Sequence, residues 1–396
     1  MKFEDLGINS SFTERIEKLN ISQPTPIQEL VISKVLNNSS IVATSQTGSG
    51  KTLAYLLPLV QLLTQKGGRG KLLVLVPTRE LAQQVGEVCA FLCESTSLKH
   101  VVIYGGVEYE PQIEGLKVSD IVIATPGRLI DILDQKVIEL NDLAYFVLDE
   151  VDQMLDLGFL EPIKLLAQLR TKDTISLCFS ATMTEVVKSV IAELCGNIEH
   201  LAVENQRLAV ENIEQVNYFV EKSMMDSLLL HLLHKENPSQ SVIFTRSRNM
   251  ADRLVEVLSM NGLKAEAMHS DKSQAAREHI IARFKSLETV ILVATDVIAR
   301  GIDIDTITHV FNYGLPQSPE QYIHRIGRTG RAGRSGKAIS LTCPTDKLLL
   351  ESICKLMKQN IPTNSNHPYM TLGVMKALES QGDAKGTKGR PKKKRR

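Results

Sequence analysis

The sequence lacks the features of membrane, secreted and disulfide-stapled proteins. It contains no run of about 18 apolar residues, the length that a membrane-spanning helix needs. Its N-terminal stretch, MKFEDLGINSS, is too acidic and polar for a signal peptide. The six cysteines show no CxxC spacing, so we expect reduced thiols rather than zinc or disulfide sites. These absences favour a cytoplasmic protein without a membrane segment.

The length and the distribution of charge describe a two-domain chain with a basic end. At 396 residues, of which 43% are apolar, the chain is long for one hydrophobic core. The net charge of +1 conceals an asymmetry, because residues 385–396, KGTKGRPKKKRR, contain eight lysines and arginines and no acid. The rest of the chain is therefore mildly acidic.

Short apolar runs alternate with longer amphipathic segments in two series. This alternation predicts an α/β fold with two similar domains, each a parallel sheet with helices on both faces. The first series is KLLVLVP (71–77), DIVIATP (120–126), YFVLDE (145–150) and ISLCFSAT (175–182), and the second is SVIFTRS (241–247), TVILVATD (289–296), HVFNYG (309–314) and KAISLTC (337–343).

The domain boundaries follow from where the apolar pattern stops. Residues 203–212 are polar and lack a sustained period, so a linker is expected there. We therefore predict domains over residues 1–205 and 206–361. Beyond these, residues 362–396 lose the apolar pattern and become rich in Gly, Lys and Arg, which predicts a flexible basic tail.

A glycine-rich stretch, SQTGSGKT (45–52), follows a short apolar run and precedes a predicted helix. In such a turn, successive backbone N–H groups can surround a phosphate at the helix N-terminus. Lys51 would add positive charge, and Thr52 would offer a hydroxyl to magnesium. Because Ser45 stands where the strict pattern has glycine, this stretch alone leaves an ordinary glycine-rich turn as an alternative.

Two adjacent acids, Asp149 and Glu150, stand where another apolar run ends. Adjacent carboxylates repel each other, so their placement indicates a cation or a chemical task rather than a solvated loop. Asp149 suits magnesium held through water, and Glu150 suits orientation or deprotonation of the attacking water. Ligands of open α/β sheets bind beyond the carboxyl ends of the strands, where both motifs fall, so the pair predicts a nucleotide site.

From Phe3 to about Ile361 the chain resembles the DEAD-box ATP-dependent RNA helicases, which consist of two tandem RecA-like domains. The motifs that carry the resemblance occur in the family's order: QPTPIQ (23–28), SQTGSGKT (45–52), PTRELAQQ (77–84), Gly105-Gly106, TPGR (125–128), DEVD (149–152), SAT (180–182), VIFTRS (242–247), Gln274 to Arg277, ATDVIARGID (294–303) and HRIGRTGR (324–331). The resemblance implies RNA-stimulated ATP hydrolysis, coupled to interdomain closure and to local unwinding of short RNA duplexes.

The resemblance also implies roles at the nucleotide site. The amide of Gln28 would pair with adenine, Phe3 would stack on the base, and Asp303 would accept the ribose hydroxyls. The expected ATP-binding residues are Phe3, Gln28, Ser45, Gln46, Thr47, Gly48, Ser49, Gly50, Lys51, Thr52, Gly301, Asp303, Arg328 and Arg331. Of the site residues, the catalytic set is Lys51, Thr52, Asp149, Glu150, Arg328 and Arg331, with Thr52 and Asp149 as Mg²⁺ ligands and the two arginines as fingers on the γ-phosphate.

RNA contacts are expected on both domains. The candidates are Pro77, Thr78, Arg79, Gly105, Gly106, Thr125, Arg128, Arg246, Arg277 and Thr295, which would hold phosphates and sugars without reading bases. With no Trp and only 5% aromatic residues, the chain has no obvious base-stacking platform, so binding should be independent of sequence. Coupling between hydrolysis and strand separation is expected from Asp152, Ser180, Thr182, His324 and Arg325, with Asp296 and Arg300 helping to hold the closed interface.

The motifs leave alternatives open. Val151 replaces the alanine of the family's name-giving tetrapeptide but removes no acid. An ATP-dependent RNA clamp that unwinds little would carry the same motifs, and phosphate contacts alone do not distinguish RNA from DNA. The basic tail fits an RNA anchor, a nuclear import signal or an inert solubility tail. We further expect a monomer whose protein partners, if any, belong to ribosome assembly or RNA decay.

Overall fold

The protein consists of two compact units, Met1–Leu208 and Ala209–Arg396. The computed structural model describes residues 1–45, 48–67, 70–136, 140, 142–196, 198–202, 212–296, 304, 306–330 and 334–383, without the side chains of 381–383. Within these ranges, no helix has both the length and the apolar character needed to span a membrane.

The first unit contains a seven-stranded sheet, in which every pairing is parallel and the strand order is β3-β4-β2-β5-β6-β1-β7. The strands are β1 (Ile41–Thr44), β2 (Lys71–Leu75), β3 (His100–Ile103), β4 (Ile121–Ala124), β5 (Leu143–Leu148), β6 (Ile175–Ser180) and β7 (Glu199–Ala202). The helices are α1 (Ser10–Glu17), α2 (Pro26–Leu36), α3 (Lys51–Gln65), α4 (Arg79–Cys93), α5 (Glu110–Val118), α6 (Pro126–Asp134), α7 (Val151–Asp156), α8 (Leu160–Ala167) and α9 (Glu185–Cys195).

The continuous apolar runs form strands because helices cover both faces of the sheet. On β2, Leu72 and Val74 belong to one buried cluster, whereas Leu73 and Leu75 belong to the cluster on the opposite face. Alternate side chains of a strand point to opposite faces, so each run contributes to two cores at once. The predicted α/β architecture is confirmed.

The second unit contains a six-stranded parallel sheet with the order β10-β11-β9-β12-β13-β8. Its strands are β8 (Ile213–Phe219), β9 (Ser241–Thr245), β10 (Ala265–Met268), β11 (Ile291–Thr295), β12 (His309–Tyr313) and β13 (Gly336–Thr342). Its helices are α10 (Met225–Glu236), α11 (Arg248–Met260), α12 (Gln274–Lys285), α13 (Pro319–Ile326), α14 (Lys347–Met357) and α15 (Leu372–Asp383).

The prediction of a flexible tail from residue 362 needs correction, because residues 362–383 belong to the second unit. The edge strand β8 is bonded on its open side: the amide of Asn217 donates to the carbonyl of Pro362 at 2.9 Å, and the amide of Asn364 donates to the carbonyl of Asn217 at 2.8 Å. Helix α15 then buries Val374 completely. The basic residues 385–396 lie outside the described residues.

Candidate functional site

The order of the strands sorts the predicted site residues of the first unit into neighbouring groups. The phosphate-loop candidates follow β1, the two acids follow β5, and the SAT turn begins at the last residue of β6. The RNA candidates follow β2, β3 and β4, which are adjacent on the other side of the sheet. Since the strands are parallel, all of these residues lie at one edge, where open α/β sheets bind their ligands.

The glycine-rich turn is held in place by its own polar groups. The Nζ of Lys51 donates to the carbonyl of Ser45 at 3.1 Å, and the hydroxyl of Ser49 donates to that of Ser45 at 3.0 Å. Lys51 is buried at the first position of α3. Its ammonium therefore lies over the turn, where it can meet a phosphate bound at the helix N-terminus. Only the contact with Ser49 depends on the serine that replaces the usual glycine, because Lys51 bonds to the backbone carbonyl.

Gln28 connects helix α2 to this turn. Its Oε1 accepts from the amide of Thr25 at 2.9 Å in a capping box, and its Nε2 donates to the carbonyl of Gly50 at 3.1 Å. Gly50 has a φ of +91°, and a Cβ there would lie 2.5 Å from that Nε2, so only glycine fits. Each polar atom of Gln28 retains one further lone pair or hydrogen, which leaves capacity for adenine.

Phe3 is packed into the first unit rather than presented on its surface. The side chain is only 2% exposed and belongs to the main core cluster. It also lines a cavity of about 270 Å³ together with Ile21, Ser22 and Gln23, next to the start of α2. The cavity lies against the segment that carries Gln28, so stacking of Phe3 on a base stays a prediction.

Asp149 presents one bonded and one open carboxylate oxygen. Its Oδ2 accepts from the hydroxyl of Tyr55 at 3.0 Å, whereas its buried Oδ1 has no hydrogen-bond partner among the described residues. Burial raises the pKa of Asp149 to about 6, although the nearby charge of Lys51 opposes the rise. A buried, open carboxylate oxygen close to the phosphate turn fits the expected magnesium ligand.

The sequence interpretation missed Tyr55. It is fully buried four residues after Lys51 on α3, and its pKa is raised by burial and by Asp149, while a hydrogen bond with Thr52 opposes the rise. Tyr55 therefore connects α3 to the candidate magnesium ligand Asp149. The i, i+4 spacing from Lys51 places the two side chains on one helix face and could have revealed it.

The remaining acids of the DEVD sequence have different environments. Glu150 is mostly buried and adopts left-handed backbone angles, φ 57° and ψ 54°, at the N-cap of α7. Such a conformation is costly for a residue with a Cβ and is typical of functional sites. The Oδ2 of Asp152 accepts from both the amide and the hydroxyl of Thr182, at 2.8 and 2.9 Å. The hydroxyl of Ser180 donates to the carbonyl of Thr182 at 2.7 Å, so the three coupling candidates of this unit form one cluster.

The RNA candidates of the first unit form two small clusters. Gly105 and Gly106 lie against the guanidinium of Arg79, because a Cβ on Gly106 would be 2.2 Å from its Nη1. Arg128 donates to the carbonyl of Val107 at 2.9 Å, and its guanidinium lies 3.9 Å from the ring centre of Tyr109, a contact that the sequence did not suggest. The hydroxyl of Thr78 caps α4 by accepting from the amide of Leu81, Thr125 is the N-cap residue of α6, and Pro77 lies two residues after the end of β2.

Arg325 is the most extensively bonded candidate of the second unit. It is 1% exposed, its Nη2 donates to the Oδ2 of Asp296 at 2.8 Å, and its Nη1 donates to Asn312 and to the carbonyl of Gly314. The guanidinium also lies 5.2 Å from the ring centre of Phe244. These contacts all lie within the unit, so the side chain joins β9, β11, β12 and α13.

The other candidates of the second unit occupy varied positions. Arg246 donates to the carbonyl of Leu315 at 2.7 Å, and Arg277 is buried in α12. Arg328 is buried and its Nε donates to the carbonyl of His324 at 3.2 Å. Thr295 ends β11, next to the strand that Arg246 follows. The expected residues Gln46, Thr47, Arg300, Gly301, Asp303 and Arg331 lie outside the described residues.

The fold and the strand-end motifs define a nucleotide-binding protein of the phosphate-loop class. The profile of the DEAD/DEAH box helicase family matches residues 25–190, and that of the helicase conserved C-terminal domain matches residues 224–333. Over 360 residues the chain is 36% identical to the DEAD-box ATP-dependent RNA helicase CshA of Bacillus subtilis. This alignment covers 91% of this chain and 73% of CshA.

Other known proteins agree with this assignment. The chain is 37% identical over 361 residues to the RNA helicase CrhR of Synechocystis, covering 91% of this chain and 73% of CrhR. A solved structure of S. cerevisiae Dbp5 bound to RNA and ADP BeF3 matches with a TM-score of 0.82 and 28% identity, over 95% of this chain and 99% of that one. The chain belongs to the DEAD-box ATP-dependent RNA helicases, with two tandem RecA-like domains.

Proposed function

We propose that this helicase unwinds or remodels short RNA duplexes and RNA–protein complexes locally, without reading their sequence. The observation that carries the proposal is the arrangement of the first sheet. Nucleotide candidates follow β1 and β5, and RNA candidates follow β2, β3 and β4 at the same edge. If ATP and RNA each also bind the second unit, together they favour a closed state that neither stabilises as well alone. Closure bends one RNA strand out of duplex geometry. ATP hydrolysis then returns the protein to the open state.

The chemistry that we propose uses residues of the first unit in distinct roles. Lys51 binds the phosphates, and Glu150 accepts a proton from the attacking water or orients it. Thr52 and the open Oδ1 of Asp149 would hold Mg²⁺, which when bound supplies positive charge to the phosphate oxygens. Tyr55 fixes the carboxylate of Asp149 through its other oxygen, since Oδ2 already accepts the phenol hydrogen. Gln28 selects ATP over other nucleotides.

An ATPase assay with several polynucleotides and nucleotides tests this function. We expect single-stranded RNA to stimulate ATP hydrolysis and DNA to stimulate it much less, with GTP a poor substrate. Equal stimulation by DNA would overturn the RNA assignment, because only the 2′-hydroxyl distinguishes the two backbones. Slow turnover combined with a long-lived ATP-dependent RNA complex would instead favour the RNA clamp, and a strand-displacement assay on a short duplex separates the two outcomes.

Val151→Ala is expected to affect stability more than catalysis. Val151 is fully buried in the cluster that also contains Leu73 and Leu75. Losing two methyl groups there should lower the unfolding free energy by about 2 kcal/mol. The acids keep their spacing, so turnover should change by less than about tenfold. Chemical denaturation and ATPase measurements check the two expectations. A larger loss of turnover with little loss of stability would give Val151 a part in the chemistry.

Tyr55→Phe is expected to weaken the response to magnesium. The substitution removes only the hydroxyl that donates to Asp149 and keeps the ring, whose centre lies 5.1 Å from that of Phe179. A lost partner of a metal ligand typically lowers metal affinity by about tenfold or more. We therefore expect the Mg²⁺ concentration for half-maximal binding of a fluorescent ATP analogue to rise by about tenfold.

Tyr145→Phe is the matched control for that variant. Tyr145 is also fully buried, but its hydroxyl accepts from Lys66 at 2.9 Å and lies 3.4 Å from the Oδ1 of Asn38, away from the acids. It should leave the Mg²⁺ dependence unchanged. Equal shifts in both variants would show a general loss of packing rather than a positioning role for Tyr55.

Removal of residues 385–396 is expected to weaken RNA binding without changing ATP affinity. The segment carries eight positive charges, and about half of them contacting phosphates would give a salt slope of about 3. We expect the truncated protein to show a flatter dependence of RNA affinity on salt. An unaltered slope would exclude the tail as an RNA anchor and leave targeting or solubility as its role.

We further propose that the protein acts as a monomer in the cytoplasm. Expected partners are proteins of ribosome assembly or RNA decay, the processes in which remodelling of short RNA helices is needed. Size-exclusion chromatography with light scattering, in the presence and absence of RNA and ATP, tests the monomeric state.

A further inference from the structure

Two cysteines from different elements meet in the first unit. Cys178 is fully buried on β6, two residues before the SAT turn, and Cys195 is the last residue of α9 and partly exposed. Their sulfur atoms lie 3.5 Å apart. Because one thiol can meet solvent and the other lies directly behind it, the pair has the arrangement of a reactive thiol and a resolving thiol.

The surroundings of Cys195 favour its thiolate. The Nη1 of Arg170 lies 3.7 Å from the sulfur, and the same guanidinium is anchored to the hydroxyl of Ser176 at 2.8 Å and to the carbonyl of Ala167 at 3.1 Å. The hydrogen bond from Cys178 and the charge of Arg170 lower the pKa of Cys195 to about 7, although burial opposes this. The thiolate is the nucleophile toward oxidants, so Cys195 is the thiol that reacts first.

A second pair shows why proximity alone is not sufficient. Cys89 and Cys93 have sulfur atoms 3.9 Å apart, but both belong to α4 at i, i+4 spacing. Side chains at that spacing have Cβ atoms about 5–6 Å apart, whereas a disulfide needs about 3.5–4.5 Å. Helix geometry therefore excludes a bond there. Cys178 and Cys195 are joined by no such helical constraint.

We propose that Cys178 and Cys195 form a redox-active dithiol that hydrogen peroxide converts reversibly into a disulfide. The thiolate of Cys195 attacks one peroxide oxygen, the O–O bond breaks, and hydroxide leaves, which gives a sulfenic acid. The thiol of Cys178 then attacks that sulfur; an S–S bond forms, the S–O bond breaks, and water leaves with the thiol proton. Peroxide is reduced and the two thiols are oxidised by two electrons in total. A dithiol reductant reverses the reaction.

The disulfide would act on the SAT turn, a consequence that rests on the proposed coupling function. The bond closes the chain segment from 178 to 195, which contains Ser180 and Thr182. It would hold the end of α9 against β6 while Thr182 remains bonded to Asp152. We therefore expect the oxidised protein to lose RNA-stimulated ATP hydrolysis and to regain it on reduction.

Peroxide titration of the full-length protein tests the site. Under mild peroxide at neutral pH, peptide mass spectrometry should find the Cys178–Cys195 linkage before any other oxidised cysteine. At a pKa near 7 the gain in thiolate outweighs the loss of nucleophilicity, so Cys195 should react about threefold faster than an ordinary thiol. Cys195→Ser and Cys178→Ser should abolish the linkage, whereas Cys93→Ser, in the pair that cannot bridge, should leave it intact.

Different results of these experiments would overturn the dithiol, its effect on the SAT turn and the proposed function. Oxidation of Cys195 to sulfinic acid without a linkage to Cys178, or a linkage that forms no faster than random pairing in urea, would overturn the dithiol. A linkage that leaves ATP hydrolysis unchanged would overturn the effect on the SAT turn. Failure of the proposed function is recognised separately, because the fully reduced protein would then show no stimulation by RNA. Cys195→Ala provides a second variant should the serine disturb packing.

Discussion

Glu150→Gln is expected to reduce RNA-stimulated ATP hydrolysis by about 10³-fold, the size of a typical general-base contribution. Glutamine has the same length and shape but cannot accept the proton of the attacking water. The left-handed backbone at this position is set by the end of β5 and the start of α7, so it should survive the change. Binding of ATP and of RNA should therefore remain, and the variant should accumulate in an RNA complex. Single-turnover hydrolysis and RNA-binding titrations measure both quantities.

Asp156→Asn provides the matched control for this variant. Asp156 is an exposed acid at the other end of the same short helix, so its neutralisation removes the same charge as Glu150→Gln at a position away from the N-cap of α7. Its turnover should stay close to that of the unmodified protein. Appreciable hydrolysis by Glu150→Gln would remove Glu150 from the catalytic role and leave orientation of water to other groups.

Arg325→Ala is expected to lower the unfolding free energy of the second unit by about 3–5 kcal/mol. The substitution leaves the carboxylate of Asp296, the amide of Asn312 and the carbonyl of Gly314 without their shared donor. It also leaves a cavity against Phe244, because the whole guanidinium is enclosed. Chemical denaturation followed by probes in the second unit measures the loss.

Two comparisons separate this structural role from a coupling role. Arg248→Ala removes an ion pair with Asp271 in which both side chains are more than half exposed, so it should cost less than about 1 kcal/mol. Asp296→Ala should cost much less in the Arg325→Ala background than alone, because the two residues share one interaction. If Arg325→Ala left stability unchanged and affected only ATP-driven unwinding, the buried network would not be its main role.

The sequence was sufficient to predict the structure wherever a local pattern of residues determines it. The apolar runs of β2 and β5, the glycine-rich turn before α3 and the acids after β5 are each contained within a few residues. Their positions at one sheet edge follow from parallel pairing, which the alternation of strands and helices already indicates. Parallel pairing therefore predicts where the candidate residues lie, but it does not predict which hydrogen bonds their side chains form.

The features that escaped prediction depend on contacts between distant parts of the chain. Tyr55 meets Asp149 across 94 positions, and Arg325 meets Asp296 across 29. The proximity of Cys178 and Cys195 requires the return of α9 along β6. Residues 362–364 contain Asn and Thr and no apolar run, so nothing local indicates that they meet β8. Only the tertiary structure brings these groups together.

The segment that follows Ile361 also affects how this protein behaves among other chains. The outer strand of an open sheet presents unpaired backbone groups that can recruit a strand from another molecule. Here residues 362–364 of the same chain pair with part of the open side of β8. They form hydrogen bonds with both the amide and the carbonyl of Asn217. The chain thus blocks this part of the strand to pairing by another molecule, and the protection lies within its own sequence.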